Sequence, residues 1–170
     1  MNIFITGATG FIGSHLISYL RKTKHKIFAL TRCNLNNKEI HRQEVVWIKK
    51  KLQDLQKNDL KGIDVVIHLA SVGVSPQKAT EKELVDININ ASLNLLKLAN
   101  DSGIKRFVTT GSSLEYGREA EKWDKIPPFA KLDPITPYAL SKANSFKLID
   151  EFARRNSIEV FYGRIFSAYG

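Results

Sequence analysis

Eight residues near the start constrain this chain more than any others: Thr6-Gly7-Ala8-Thr9-Gly10-Phe11-Ile12-Gly13. They follow an apolar run over residues 1–5, in which only Asn2 is polar, and they precede Ser14-His15-Leu16-Ile17-Ser18-Tyr19-Leu20. An apolar run, a glycine cluster and a helix-like stretch in that order predict a buried strand, a tight turn and a helix. Each glycine has its own task in such a unit. Gly7 turns the chain off the strand, Gly10 lets backbone approach a pyrophosphate with no Cβ in the way, and Gly13 lets the first helical turn lie close to the sheet. The helix start then offers unpaired N–H groups and the positive end of its dipole to phosphates. Gly7, Thr9, Gly10, Phe11, Ile12 and Gly13 are therefore expected to hold a dinucleotide.

The rest of the chain repeats the alternation. Strands are predicted at 2–6, 26–31, 44–48, 63–68, 106–110 and 158–165, and helices at 12–22, 81–101 and 136–156, with a short one near 52–60. Leu84, Ile87, Ala91, Leu95 and Leu98 recur at helical spacing, and Gly103 follows as a C-cap glycine. Thr136 is an N-cap with Pro137 at the first helical position. A loop with Gly73 and Pro76 follows the fourth strand. Residues 111–136 show no periodicity and contain Gly117, Pro127, Pro128 and Pro134, as functional or disordered loops do. The pattern predicts an α/β protein: a doubly wound parallel sheet covered on both faces, in the order 3-2-1-4-5-6. Ligands then bind at the carboxyl ends of the strands, near the switch between strands one and four.

A chain of 170 residues, 43% of them hydrophobic, suits one domain. Cys33 is the sole cysteine, so neither an internal disulfide nor a cysteine metal cluster can form, and the residue reads as an ordinary thiol. The apolar runs are too short to span a bilayer, and the start lacks the charged segment of a signal peptide, so no membrane association and a cytoplasmic location are expected. The net charge of +9 is scattered over 21–26, 49–51, 122–131 and 154–155. No basic stretch is interleaved with aromatics, which speaks against nucleic acid and for solvated faces and loops.

Tyr138 and Lys142 stand four apart on a predicted helix and share a face. A free tyrosine titrates near 10, but a neighbouring ammonium favours the phenolate. Such a pair can exchange a proton with an alcohol or carbonyl during hydride transfer. Ser112 or Ser113, after strand five, could donate a hydrogen bond to the same oxygen.

The glycine turn, the serine after strand five and the Tyr/Lys pair, in this order, resemble the short-chain dehydrogenase/reductase superfamily, specifically its extended branch of nucleotide-sugar epimerases, dehydratases and ketoreductases. The resemblance runs along essentially the whole chain. Residues 6–13 look like the branch's cofactor turn. Asp64-Val-Val-Ile-His-Leu-Ala70 resembles its strand-four signature, whose backbone lies along the cofactor, which implies contacts from Leu69, Ala70 and Ser71. Asn88, in Asn88-Ile-Asn-Ala-Ser-Leu-Asn-Leu-Leu96, falls in a segment similar to the family's fourth helix and is expected near the cofactor. Pro137-Tyr-Ala-Leu-Ser-Lys142 matches the catalytic helix start, and Arg164-Ile-Phe-Ser-Ala-Tyr-Gly170 looks like the segment ending strand six. The family's Ser/Thr lies four residues before the tyrosine of a Tyr-Gly pair, here Tyr116-Gly117, which selects Ser112. By resemblance, Tyr138 is the acid/base, Lys142 lowers its pKa and holds the nicotinamide ribose, and Ser112 binds the reacting oxygen. The resemblance implies a Rossmann domain, NAD or NADP as cofactor, a nucleotide-sugar substrate, C4 epimerisation or 4-keto reduction, and a homodimer through a bundle of helices 81–101 and 136–156.

Departures refine this picture. Sugar-nucleotide 4,6-dehydratases carry Asp-Glu after the Ser/Thr, where this chain has Ser113-Leu114 with only Glu115 beyond, so dehydration is disfavoured. NAD-binding members carry an acidic residue at the end of strand two, where this chain has Thr31-Arg32. A carboxylate would repel a 2′-phosphate and Arg32 could pair with it, which tilts the expectation towards NADP. An aspartate near the adenine is replaced by Lys51, and an asparagine at a sugar-nucleotide contact by Ser167. The branch continues into a substrate lobe, so residues 1–170 are expected to be an NAD(P)-binding domain truncated before that lobe. A non-catalytic dinucleotide-binding module is the rival expectation.

Overall fold

The computed structural model describes residues 1–33, 45–74 and 78–169; Glu44, Pro76 and Gly170 lie outside them. Six strands, β1 (Asn2–Thr6), β2 (Lys26–Thr31), β3 (Val45–Lys49), β4 (Val65–His68), β5 (Arg106–Ser112) and β6 (Glu159–Ile165), form one parallel sheet in the order β3-β2-β1-β4-β5-β6. This is the doubly wound order expected from the sequence. Among the described residues, the connecting helices include α1 (Phe11–Leu20), α2 (Ser92–Asp101) and α3 (Pro137–Arg155).

Strand alternation distributes the apolar side chains to two faces. Phe4, Val66 and Phe107 join Leu95, Leu96, Ala99 and Ile149 of α2 and α3 on one face. Ile3, Ile5, Ile27 and Ala29 meet Ile17 and Leu20 of α1 on the other. Each fully buried large side chain contributes about 1.5–3 kcal/mol relative to exposure. The expectation of full cover on both faces holds over β1 and β2 and is corrected at β6. Val160 and Tyr162 pack on the α2–α3 side, whereas Phe161, on the opposite face, is 66% exposed. Both later helices sit on one side of the sheet, and among the described residues none covers the other side of β6.

The predicted helix over 81–101 changes register within itself. After a single turn at Glu81–Glu83, capped by Thr80, the backbone is π-helical over Leu84–Ala91 and becomes α-helical only at α2. The short helix near 52–60 is instead two 3₁₀ turns, Leu52–Asp54 and Lys57–Leu60, separated by an extended Leu55. Strand β5 runs two residues further than expected, so that Ser112 pairs with Ile165. The aperiodic stretch beyond it is ordered by turns at Ser113–Glu115 and Arg118–Lys122 and by a bridge from Gly117 to Asp133. Helix α3 begins as read: the Ala139 N–H donates to Thr136 Oγ1 at 3.2 Å, and Pro137 occupies the first turn.

Candidate active site

The glycine turn runs against the end of β4. Gly7 has φ +69°, and a Cβ there would lie 2.7 Å from the Ala70 nitrogen. A Cβ on Gly13 would lie 2.2 Å from the Gly7 carbonyl oxygen, so both positions admit only glycine without backbone movement. Gly10 caps α1 with no side-chain hydrogen bond, and no acidic residue stands in the first turn. The N–H groups at this end are thus free to meet an anion.

Above the turn lies a cleft of about 300 Å³ at the carboxyl ends of β1, β2 and β4, lined among others by Gly7, Thr9, Gly10, Thr31, Arg32, Leu69, Ala70 and Ser71. Leu52, Gln53 and Ile87 also line it; sequence reading missed them, placing Lys51 there instead. Phe11 and Ile12, 48% and 36% exposed, lie outside this lining, as does the buried Gly13. A wider depression of about 570 Å³, bordered by Asp64, Lys105, Arg106 and Glu159, sits at the opposite, amino edge of the strands. Ligands of open parallel sheets bind at the carboxyl edge, which favours the smaller cleft.

Asn88, also expected at the cofactor, is 1% exposed and sits behind the cleft. Its Nδ2 donates to the Val72 carbonyl and to Ser141 Oγ, each at 3.0 Å, and its Oδ1 accepts from Ser71 Oγ at 3.0 Å and from the Val72 N–H at 2.9 Å. All four hydrogen-bonding positions of the amide are used, so Asn88 ties the loop after β4 to α3 rather than lining the cleft. One helical turn on, Ser92 Oγ donates to the Ile87 carbonyl at 3.2 Å and accepts from His68 Nε2 at 2.8 Å. The Ala70 N–H donates to Thr6 Oγ1, whose hydroxyl donates to His68 Nδ1 at 2.7 Å. These partners fix His68 as the neutral Nε2–H tautomer. Burial, with the nearby Lys142 charge, pushes the imidazole down to about 3.

Ser112, Tyr138 and Lys142 come together at the adjoining edge of the sheet. Tyr138, half-buried, has the Ser71 and Ser112 hydroxyls close enough to act on its phenol. Ser112 Oγ also accepts the Leu114 N–H at 3.2 Å. The expected low phenol pKa is corrected here. Burial, reinforced by the Glu115 carboxylate, raises Tyr138 above its ordinary value, against the influence of the Ser71 and Ser112 hydroxyls. Lys142 lies one helical turn on and is 6% exposed; burial pushes it down to about 8, with Glu115 opposing. Desolvation disfavours charge on either group, so the protonated phenol is the resting form. Sequence reading missed the Ser71–Tyr138 contact and the buried Glu115–Arg164–Tyr162 cluster beneath Ser112. No local pattern separates Glu115 from a surface turn acid, because its partners lie 47 and 49 residues away.

The strand order, the glycine turn and a cleft at the switch between β1 and β4 define a Rossmann dinucleotide-binding fold. The chain belongs to the NAD dependent epimerase/dehydratase family, which it matches over residues 3–170. It is 32% identical over 185 residues to the uncharacterized UDP-glucose epimerase YtcB of Bacillus subtilis, covering 100% of this chain and 57% of that one. It is 28% identical over 151 residues to a decarboxylating sterol-4-alpha-carboxylate 3-dehydrogenase of Dictyostelium discoideum, covering 85% and 46%. The solved structure of MoeE5 in complex with UDP-glucuronic acid and NAD superposes with a TM-score of 0.86 at 30% identity, covering 100% of this chain and 56% of that chain. The chain thus spans about half the length of the curated relatives it matches. Among the described residues no helix is long and apolar enough to cross a membrane.

Proposed function

We propose that residues 1–170 are the NAD(P)-binding and catalytic portion of an enzyme that oxidises or reduces a nucleotide-linked sugar at C4, as an epimerase or a 4-keto reductase. The observation that carries this reading is the gathering of Ser112, Tyr138 and the buried Lys142 at one edge of the sheet, next to the glycine-lined cleft. The cleft fits a dinucleotide: side chains on Gly7 and Gly13 would fill the turn, and the α1 N–H groups are open to a pyrophosphate. A bound nicotinamide dinucleotide would supply hydride chemistry there.

The chain's own groups supply the rest. Ser112 Oγ donates to the substrate oxygen, and Tyr138 exchanges the proton with it. The raised Tyr138 pKa suits donation from the phenol to a carbonyl oxygen, the direction of a keto reduction. Lys142 contributes positive charge beside the developing phenolate and a donor for the nicotinamide ribose. Arg32, exposed at the end of the cleft, favours NADP by pairing with a 2′-phosphate. Dehydration is disfavoured, because both Glu115 oxygens are already bound by protein groups and Ser113-Leu114 offers no acid/base pair.

The test is incubation of the full-length protein with NADH or NADPH and a panel of nucleotide-linked sugars and their 4-keto forms, following cofactor absorbance and product stereochemistry. Turnover of a 4-keto sugar, faster with NADPH, is expected. Tight cofactor binding with no exchange on any sugar would replace this reading with a non-catalytic dinucleotide-binding module.

A further inference from the structure

Glu115 is 0% exposed, yet its carboxyl group is held from several elements. Its Oε1 accepts the Ser112 N–H at 2.7 Å and the Tyr162 hydroxyl at 2.8 Å, and its Oε2 accepts Arg164 Nε at 2.7 Å. The Arg164 guanidinium is itself enclosed by the rings of Tyr116, Phe146 and Tyr162, at 5.1, 4.3 and 5.5 Å. Even the strand makes room: a Cβ on Gly111 would lie 2.4 Å from Glu115 Oε1. Burying an ion pair this deeply is costly and rarely improves on apolar packing as a source of stability. Its placement, directly under Ser112 and within electrostatic reach of Tyr138 and Lys142, points to a role in the site.

The charged and titratable groups around Lys142 are few. Glu115 approaches from the turn after β5, the neutral His68 from β4, Tyr138 from its own helix, and Tyr162 and Arg164 from β6; Tyr162 also donates to the Lys142 carbonyl at 3.3 Å. Among the described residues Glu115 is the acidic group acting on this ammonium. We propose that Glu115 is a positioning residue: clamped by Arg164 and Tyr162, it fixes the backbone at Ser112 and supplies negative charge, shared with Arg164, that favours the buried Lys142 ammonium beside Tyr138. This rests on the reading of Ser112, Tyr138 and Lys142 as the reacting set. Burial already holds Lys142 down to about 8 with Glu115 opposing it, so loss of the carboxylate leaves the amine neutral at physiological pH.

The experiment titrates Lys142 in the full-length protein through its isotope-labelled side-chain resonance, assigned with Lys142→Arg. The wild-type midpoint is expected near 8. Glu115→Gln, nearly isosteric, is expected to lower it by about one unit or more and to move the alkaline limb of hydride transfer down with it. An unchanged midpoint overturns the proposal. If Glu115→Gln does not fold, Glu115→Asp decides. Its carboxylate keeps the charge but is too short for every partner, so a Lys142 midpoint near the wild-type value with faster exchange of the Ser112 amide is expected, and either a lowered midpoint or a wild-type exchange rate overturns the proposal. The two readings fail separately. A wild-type protein that transfers no hydride but shows the Lys142 shift contradicts the catalytic reading alone, whereas an active wild type with an insensitive Lys142 contradicts the role of Glu115 alone.

Discussion

Gly13 shows how one atom can govern both fold and site. Its missing Cβ would fall 2.2 Å from the Gly7 carbonyl oxygen and 2.8 Å from the Ala8 Cα, both backbone atoms that cannot swing aside. Gly13→Ala is therefore expected to displace the turn, costing about 1–3 kcal/mol of stability. The denaturant midpoint and a cofactor titration on the same variant should fall together, since the displaced turn is the floor of the cleft. Single residues were legible in the sequence where their role is local. The glycines, Thr136 with Pro137, and the pairing of Tyr138 with Lys142 across one helical turn all depend on near neighbours. Glu115 was not legible, because what makes it unusual is burial against residues of β6.

At the scale of elements, the π-helical segment Leu84–Ala91 is the informative departure from expectation. The apolar spacing of Leu84, Ile87, Ala91 and Leu95 announced a helix but not its pitch. The widened turn presents Asn88 to the loop after β4 and precedes Ser92, which meets His68. π-Bulges recur at functional sites for this reason: they re-aim side chains within a helix. Asn88→Ala removes the partner of the part-buried Val72 N–H and carbonyl, and each hydrogen bond lost costs about 0.5–1.5 kcal/mol. Hydrogen exchange should show the Val72 amide losing protection well before the strands do. Wild-type protection at Val72 would contradict the tying role assigned to Asn88.

Across the whole molecule, the strand order followed from the alternation of apolar runs and helices, and the location of the cleft followed from that order. The incomplete cover of β6 did not, because which side of the sheet each helix takes is a matter of packing rather than periodicity. The buried polar chain through Thr6, His68 and Ser92 has a consequence for the stability of the entire fold. His68 titrates at about 3 when folded and near 6.5 when unfolded. As pH falls below about 6.5 the unfolded chain takes up a proton that the folded chain refuses, so stability falls through this window, by on the order of 5 kcal/mol at its acid end. Denaturant midpoints between pH 3 and 7 should decline less steeply in His68→Gln than in the wild type, and parallel profiles would show that His68 does not hold its neutral form.

The proposed function stands or falls with proton exchange by Tyr138. Tyr138→Phe in the full-length protein isolates that step when hydride transfer and cofactor affinity are measured on the same sample. Turnover is expected to be lost while NAD(P) binding is largely retained; turnover that survives without the phenol removes Tyr138 from the chemistry.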